Sequence, residues 1–501
     1  MKIYKGFEAA KNGTLIPVFL SGRTMESRYN PERDAQNLLD SIEDGFSFFL
    51  VLGTGSGLFL KLLSQKFPAA KILALELYQE DIDFLKEGKI IQELTCNPSV
   101  IFCTPDNLEN TLSVNYIPAK YGNLKIIEQH GWINENQDFV QTINQTLQKS
   151  LGIISADYSV QAHFGKLWNS NILNNARLAE KLQTKLSFSI TKEDLKKTAA
   201  VVAAGPSLDK TCELLRQTEK YYIIATDTAG ASLIKKGIIP DVIISIDGQS
   251  VSHNHFMNSS AELKKKPLYA FDLCANFSAV KQVASVNNKL CFFCSGHPLA
   301  GAINISAGSP FPVLFSGAGT VTITAVDFAI NTGFHKLVIL GADFSYQMGK
   351  AYTSGTYLDT LYNKASSRIT VSEQTFTKLM FRTELKSLSK QIKTTQILEA
   401  YKFSLEKYLS DKRISFFKDD DIYKLEAAVK PSEAFTQTVK AFSLKPFMDK
   451  LISSNPEEAE LLLLPYIAWL RNNSRYKNKN YNELLKLALD SIVSYNICYE
   501  K

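Results

Sequence analysis

The sequence predicts an α/β chain in three parts: two regions in which strands and helices alternate, followed by an all-helical region. Three observations carry that prediction. From about 40 to 150 the order strand, Gly-rich turn, helix, strand is read, and a second such series runs from about 198 to 346. After about 370 the strand signals stop, and helical periodicity with few glycines takes over. The parts are 1–158, 159–370 and 371–501, the first two Rossmann-like and joined by a helix or helix pair over 159–183.

Composition narrows the class. The 501 residues carry 56 Lys+Arg against 50 Asp+Glu, a net charge of +6, with 45% apolar residues, 25 Gly and 16 Pro. That excludes disordered and fibrous chains, and so dilute a positive surplus does not indicate nucleic acid. Seven cysteines, at 96, 103, 212, 274, 291, 294 and 498, are an odd, scattered set. They predict no disulfide framework and fit a reducing, cytoplasmic setting. Cys291 and Cys294 form a CxxC with no second ligand pair, so LCFFCSG reads as a buried strand rather than a metal site. The most apolar stretches fall short of the roughly 18 to 20 residues needed to span a bilayer, so no membrane segment is expected.

In the first region a strand from Phe46 to Leu52 runs into Gly53, Gly55 and Gly57, then the helical LFLKLLSQKF, stopped by Pro68. KILAL at 71–75 is the next strand, and Glu76 stands at its carboxyl end, where an acid accepts hydrogen bonds from ribose hydroxyls. The GTGSG spacing is closer to the loop of S-adenosylmethionine-dependent methyltransferases than to GxGxxG. No methyl-transfer segment follows it, and a scaffold whose glycines serve packing is the other reading.

The second region holds more chemistry. AAVVAAGPSLDK (199–210) is a buried strand that breaks at Gly205, Pro206 and Ser207 before a helix, a turn able to present N–H groups and a hydroxyl to an anion. Four predicted strands each end in an acid: YYIIAT in Asp227, DVIISI in Asp247, PLYAF in Asp272 and KLVILGA in Asp343. In an open parallel sheet all four ends share one edge, where ligands bind; helix capping is the alternative use of each Asp. Ser316-Gly317-Ala318-Gly319-Thr320 then opens a helix from Val321 to Asn331 and reads either as a second anion cradle or as a turn whose glycines serve only packing, and the loop after Asp343 carries Tyr346, Tyr352 and Tyr357. Together these features suggest a nucleotide bearing a phosphorylated or acidic sugar.

AGPSLD, ATDTAG, IPDVIISID and SGAGT…AVDFAINTGFHKLVILGADFSY resemble the central domain of the motility-associated factor family. Those proteins are glycosyltransferases that attach nonulosonic acids, such as pseudaminic acid, to Ser/Thr hydroxyls of flagellin. The resemblance is strong over about 160 to 365, and SRYNPERDA (27–35) fits the family's N-terminal domain. The central pattern is also similar to small bacterial sialyltransferases, which use CMP-activated sugars, and to archaeal-type 6-hydroxymethylpterin pyrophosphokinases. The resemblance implies a cytoplasmic enzyme with a CMP-sugar donor, of pseudaminic, legionaminic or sialic type, and flagellin as acceptor. It requires no metal or other cofactor, no nucleic acid and no membrane. The alternatives are a pyrophosphokinase with Mg²⁺ on two of the four aspartates, and a non-catalytic flagellin chaperone.

Carried over, Gly205, Pro206 and Ser207 would hold the nucleotide phosphate or base edge, Asp227 and Thr228 the ribose, and Asp247 the sugar or phosphate. Ser316, Gly317, Gly319 and Thr320 would bind cytosine or the sugar carboxylate, with Asp343 and Tyr346 completing the set. Tyrosine hydroxyls stabilise the departing phosphate in the sialyltransferases, a part that falls to Tyr352 or Tyr357 here. A histidine is the base there, whereas GKAYTSG (349–355) has Tyr352 at the equivalent place. His297 is then the first substitute, followed by His253 and His255, while His130, His163 and His335 are peripheral; the expected catalytic set is Tyr352, His297 and Asp247. In the C-terminal region Leu379, Leu385, Leu388 and Ile392 read as a helical core stripe, and Asp419 to Asp421 as a solvated acidic loop. The helical module is expected to bind the protein acceptor.

Overall fold

Two parallel sheets form the frame. The computed structural model describes residues 2–497 except 88, 183–189, 258–266, 287–288, 318, 365, 367–371 and 428–441. The chain divides into two compact units, 1–165 with 463–490, and 166–462 with 491–501. This differs from the three-part reading. The first boundary lies near 165, inside one continuous helix, Gln137–Leu182, and the C-terminal region is shared between the units instead of standing alone.

In the first unit, β1 (Tyr4–Ala9) and β2 (Leu15–Phe19) pair as a hairpin. The parallel sheet has the order β5-β4-β3-β6, built from β3 (Phe48–Leu52), β4 (Lys71–Leu75), β5 (Val100–Cys103) and β6 (Leu124–Glu128). All five residues of β3 are buried, as a central parallel strand covered on both faces requires, and each large apolar side chain so buried contributes roughly 1.5–3 kcal/mol. The order reverses beside β3, so its carboxyl end, with the glycine turn, is the topological switch point.

That turn is filled by the chain itself. The Glu76 carboxylate accepts from the Thr54 N–H at 2.6 Å, the Trp132 indole at 2.9 Å and the Tyr4 hydroxyl at 3.2 Å, and is fully buried. Glu26 accepts from the Ser56 N–H. A Cβ on Gly53 would collide with the Trp132 side chain, and one on Gly55 with Met25 and Glu26. Glu76 is therefore committed to internal donors and not to a ribose, which favours the scaffold reading of this turn.

In the second unit the sheet order is β11-β10-β9-β8-β7-β12-β17-β16, with β16 (Ser415–Asp419) and β17 (Ile422–Glu426) at one edge. Its parallel part comprises β7 (Thr198–Val202), β8 (Tyr221–Thr226), β9 (Val242–Ser245), β10 (Leu268–Asp272), β11 (Leu290–Phe293) and β12 (Lys336–Leu340). The CxxC strand is β11, buried as expected. The first strand, β7, lies between β8 and β12, so the switch point falls where Gly205 and Asp343 leave the sheet. One face packs on the helices Val321–Thr332 and Gln396–Asp411, and a smaller core covers the other.

The C-terminal region is mostly helical, with one departure. A small sheet joins β13 (Tyr346–Gln347), β14 (Lys386–Ser387) and β15 (Ile392–Thr394), and a hairpin of β16 (Ser415–Asp419) and β17 (Ile422–Glu426) extends the main sheet, antiparallel to β12. The acidic run is its turn: Asp420 has φ +50°, a left-handed conformation that Asp tolerates, and Asp419 pairs with Lys424 at 2.6 Å. The proposed stripe does not form a helix, because the chain turns into β14 and β15 and leaves Leu388 exposed. Short half-exposed strands of this kind give too few alternations to stand out in sequence.

Burial raises Glu76 to about 7 and Asp81 to about 6. An unfolded glutamate titrates near 4.3, so the folded state binds the Glu76 proton more tightly. The contribution of Glu76 to stability is therefore fully present below its unfolded pKa, is lost as pH rises toward 7 and levels above it. Unfolding by denaturant, followed through tryptophan fluorescence, should lose about 2 kcal/mol between pH 5 and 8, and Glu76→Gln should remove most of that slope.

Candidate functional site

At the switch point of the second sheet, a carboxylate occupies the turn expected to hold an anion. Asp343 follows β12, and its Oδ2 accepts from the Ser207 N–H at 2.8 Å while Oδ1 accepts from the Ser207 hydroxyl. Gly205 N–H donates to the Gly341 carbonyl at 2.8 Å, so the two turns lie against each other. A Cβ on Gly205 would meet Asp343 Oδ2 and the Gly341 carbonyl at 2.5 Å, which is why glycine stands there. Ser207 is 2% exposed and Pro206 is buried, and neither lines the cavity in front of the turn, unlike the cradle expected there. Burial raises the Asp343 pKa, against the two hydrogen bonds from Ser207.

In front of this clamp lies a cavity of about 290 Å³. It gathers Gly205, Asp227, Thr228, Gly319, Thr320, Asp343, Tyr346 and Tyr352 of the expected set. Asp227 is 4% exposed; Oδ1 accepts from the Thr228 N–H at 2.7 Å, and Oδ2 from the Ser245 hydroxyl at 2.6 Å. Opposite the acids in character is the N-terminus of Val321–Thr332, where Gly319, Thr320, Val321 and Thr322 line the cavity and no side chain caps the first turn. Its free N–H groups and dipole make it a place for an anion. The helix is fixed by Asp327, which accepts from the Phe315 N–H at 2.8 Å and from the Tyr408 hydroxyl.

The tyrosines close another side. Phe344, in the wall beside Asp343, has φ +49°, a conformation that costs a bulky L-residue about 1–2 kcal/mol, and its carbonyl accepts from the Thr394 hydroxyl at 2.9 Å. That bend sends the chain into β13 and the tyrosine loop. Tyr352 keeps 39% of its surface exposed, yet desolvation, and then the neighbouring Tyr346, Tyr357, Tyr362 and Tyr401, push its phenol up to about 12.

The remaining expected residues lie elsewhere. Ser316 and Gly317 line a separate cavity of about 910 Å³ instead, sharing the glycine turn with Gly319 and Thr320; Ala318 lies outside the described residues. Asp247, Asp272 and His297 are not in the cavity wall: half-buried Asp247 stands beside it, near Asp227 and His255 and raised by burial, while Asp272 and His297 lie under the segment of long helix from Trp168 onward. Asn171 donates to the Gly248 and Cys274 carbonyls, each at 3.1 Å, and Asn175 to those of Leu273 at 2.9 Å and Ala275 at 2.8 Å. The helix thus covers the β9–β10 end of the sheet edge. Asp247 accepts from the Gln249 N–H at 2.8 Å, and Asp272, raised to about 6 by burial, from the Cys274 N–H at 2.7 Å. His297 packs edge-on against Trp168 with ring centroids 5.6 Å apart, caps Pro298–Ser306 through the Leu299 N–H, and is driven down to about 4 by burial. Sited as a cap, it stands outside the cavity wall.

His255 lies nearer. Its Nε2 is 3.5 Å from the Thr228 hydroxyl and its ring packs on Tyr357 at 4.6 Å. Sequence reading missed Leu398 and Tyr401, which reach the cavity from Gln396–Asp411, because it assigned that helix to a separate module. Among the described residues, no three His, Cys, Asp or Glu side chains converge as a metal site. The two acids of the wall are instead engaged with Ser207, Thr228 and Ser245. Truncation of the clamp should be costly. Ser207→Ala leaves Asp343 buried with fewer donors and should lose about 1–3 kcal/mol in urea unfolding. Combining it with Asp343→Asn should cost less than the sum of the two single changes, since both act on one interaction.

Comparison with known proteins agrees with this geometry. Residues 170–349 match a family described as 6-hydroxymethylpterin diphosphokinase MptE-like. Two proteins of Treponema pallidum (strain Nichols), both described as uncharacterized, are similar. One is 37% identical over 139 residues, 28% of this chain and 64% of the relative; the other is 29% identical over 231 residues, 45% of this chain and 75% of the relative. The match thus spans just under two thirds of the first relative's length. A solved MAf glycosyltransferase from Magnetospirillum magneticum AMB-1 superposes with a TM-score of 0.56 at 13% identity, over 99% of this chain and 91% of that one. The chain therefore shares the fold of that protein along nearly its whole length, and its residues 170–349 match the MptE-like family.

Proposed function

We propose that this chain is a glycosyltransferase that moves a nonulosonic acid from a CMP-sugar to a Ser or Thr hydroxyl of flagellin. One observation carries the reading: an uncapped helix N-terminus, two buried aspartates and a tyrosine loop share one cavity at the switch point of a MAf-type sheet. The single phosphate of CMP is directed to the N–H groups after Thr320, and its ribose hydroxyls toward Asp227 and Thr228. The acceptor oxygen attacks the anomeric carbon; the new C–O bond forms as the bond to the CMP phosphate breaks, and the electron pair leaves with CMP. Tyr352, protonated at neutral pH because its phenol titrates near 12, donates to the departing phosphate. Asp343, whose affinity for a proton is raised by burial, is the group of the cavity wall suited to take the acceptor's proton.

The family match keeps a second reading in view, a pyrophosphokinase in which Asp227 and Asp343 hold Mg²⁺ against ATP phosphates. Calorimetric titration separates the two. Binding of CMP that is unchanged by EDTA supports the transferase. ATP binding that needs Mg²⁺, with none for CMP, overturns it, and binding of neither points to the chaperone. With an active donor, Tyr352→Phe should slow turnover about 10- to 100-fold while leaving CMP affinity within about threefold, because its interaction strengthens only as the phosphate leaves.

A further inference from the structure

We propose that Asp209, the last residue of the AGPSLD motif, is a positioning residue that holds Tyr352 over the nucleotide-sugar cavity. This rests on the glycosyltransferase reading above. Asp209 does not line the cavity itself. Its Oδ1 accepts from the Lys236 ammonium at 2.6 Å, the Thr353 hydroxyl at 2.6 Å, the Ser354 hydroxyl at 2.7 Å and the Ser354 N–H at 3.0 Å. Lys350 reaches Oδ2 at 3.2 Å. Every loop donor in this set flanks Tyr352, on residues 350, 353 and 354.

The arrangement is directional. Along the loop Ala351 and Thr353 are buried while Tyr352 and Ser354 are exposed, so fixing Thr353 inward turns Tyr352 toward the cavity that Ala351 and Tyr352 both line. Two further bonds seat the same segment: Thr353 N–H to the Ala204 carbonyl at 2.9 Å, and the Ser232 hydroxyl to the Ser354 carbonyl at 2.6 Å. Burial alone would raise the Asp209 carboxyl, but the donors from Lys236, Thr353 and Ser354 overcome it and hold the group well below the ordinary range. It therefore stays ionised throughout the working pH range. The Lys236 pair is sheltered, with side chains about one-fifth exposed, whereas Lys350 is 58% exposed and its pairing is worth little. The anchoring falls to the hydroxyl, amide and Lys236 contacts.

The test is a double-mutant cycle read by CMP release from CMP-pseudaminic, CMP-legionaminic and CMP-sialic acids with flagellin supplied as the hydroxyl acceptor, and with CMP titrated in parallel. Asp209→Asn keeps the size but loses the charge, and should lower kcat about 10- to 100-fold with CMP affinity within about threefold, as expected for a misplaced group outside the binding contacts. In a Tyr352→Phe background the same change should cost less than about twofold, because Asp209 acts through that hydroxyl. If Asp209→Asn does not fold, Thr353→Val with Ser354→Ala removes the donors instead and should give the same pattern. An unchanged kcat, or an equal loss in both backgrounds, overturns the proposal while leaving the transferase reading intact. A wild-type protein that releases no CMP from any of the three donors overturns both.

Discussion

The pairing of Ser207 with Asp343 is the constraint on which the second unit's site depends. It joins the turn after the first strand of the sheet to the turn after the last parallel one, across the point where the strand order reverses. Gly205 has no side chain because the Asp343 carboxylate and the Gly341 carbonyl fill the space where one would stand. A buried carboxylate with directed donors is costly to unpair, so the two turns are held in one arrangement. Part of the cavity wall leaves directly from those turns: Phe344 and the tyrosine loop follow Asp343, and the loop returns to the first turn through Thr353 and Asp209.

The first unit uses the same device to the opposite effect. Glu76 and Glu26 occupy its glycine turn, and with Trp132 and Met25 they use the N–H groups and the space that a nucleotide would need. In the second unit the internal carboxylate fills only one of two glycine turns. The other, leading into Val321–Thr332, keeps its N–H groups toward the cavity. Two sheets of similar topology thus differ in how many amide donors of their glycine turns the chain itself consumes. The net charge of +6 has no part in this: the local field is set by a helix terminus on one wall and two aspartates on another.

Much of this frame was legible in the sequence. KILAL and YYIIAT are strands over the expected residues, and the other runs shift by one or two positions, because continuous apolar β-branched runs closed by turn residues leave little choice in a parallel sheet. The recurrence of acids at strand ends was also readable, and the parallel sheet brings those ends to one edge. What could not be read was which acids stay open. Asn171 and Asn175, about 100 residues away in sequence from Cys274 and Ala275, cover the edge near Asp272, and nothing local marks them for that part. Leu398 and Tyr401 escaped for the same reason, since long-range packing decides where a helix face goes. Asp209 stood inside a motif that was read, but its role depends on a loop 141 to 145 positions later.

The tyrosine at 352 also constrains where proton transfer happens. A histidine there would titrate near neutrality and serve either to accept or to donate. A phenol pushed up to about 12 is protonated at any physiological pH and only donates. In the proposed reaction Tyr352 would therefore stabilise the departing anion, and the acceptor's proton would go to a different group. The carboxylates of the opposite wall are the groups of the cavity that can receive it, and burial raises Asp343 toward the range where a carboxylate accepts a proton more readily. In the proposed reaction a tyrosine at this place would separate leaving-group stabilisation from base catalysis, with the first assigned to the loop that Asp209 anchors and the second to the clamp at the switch point.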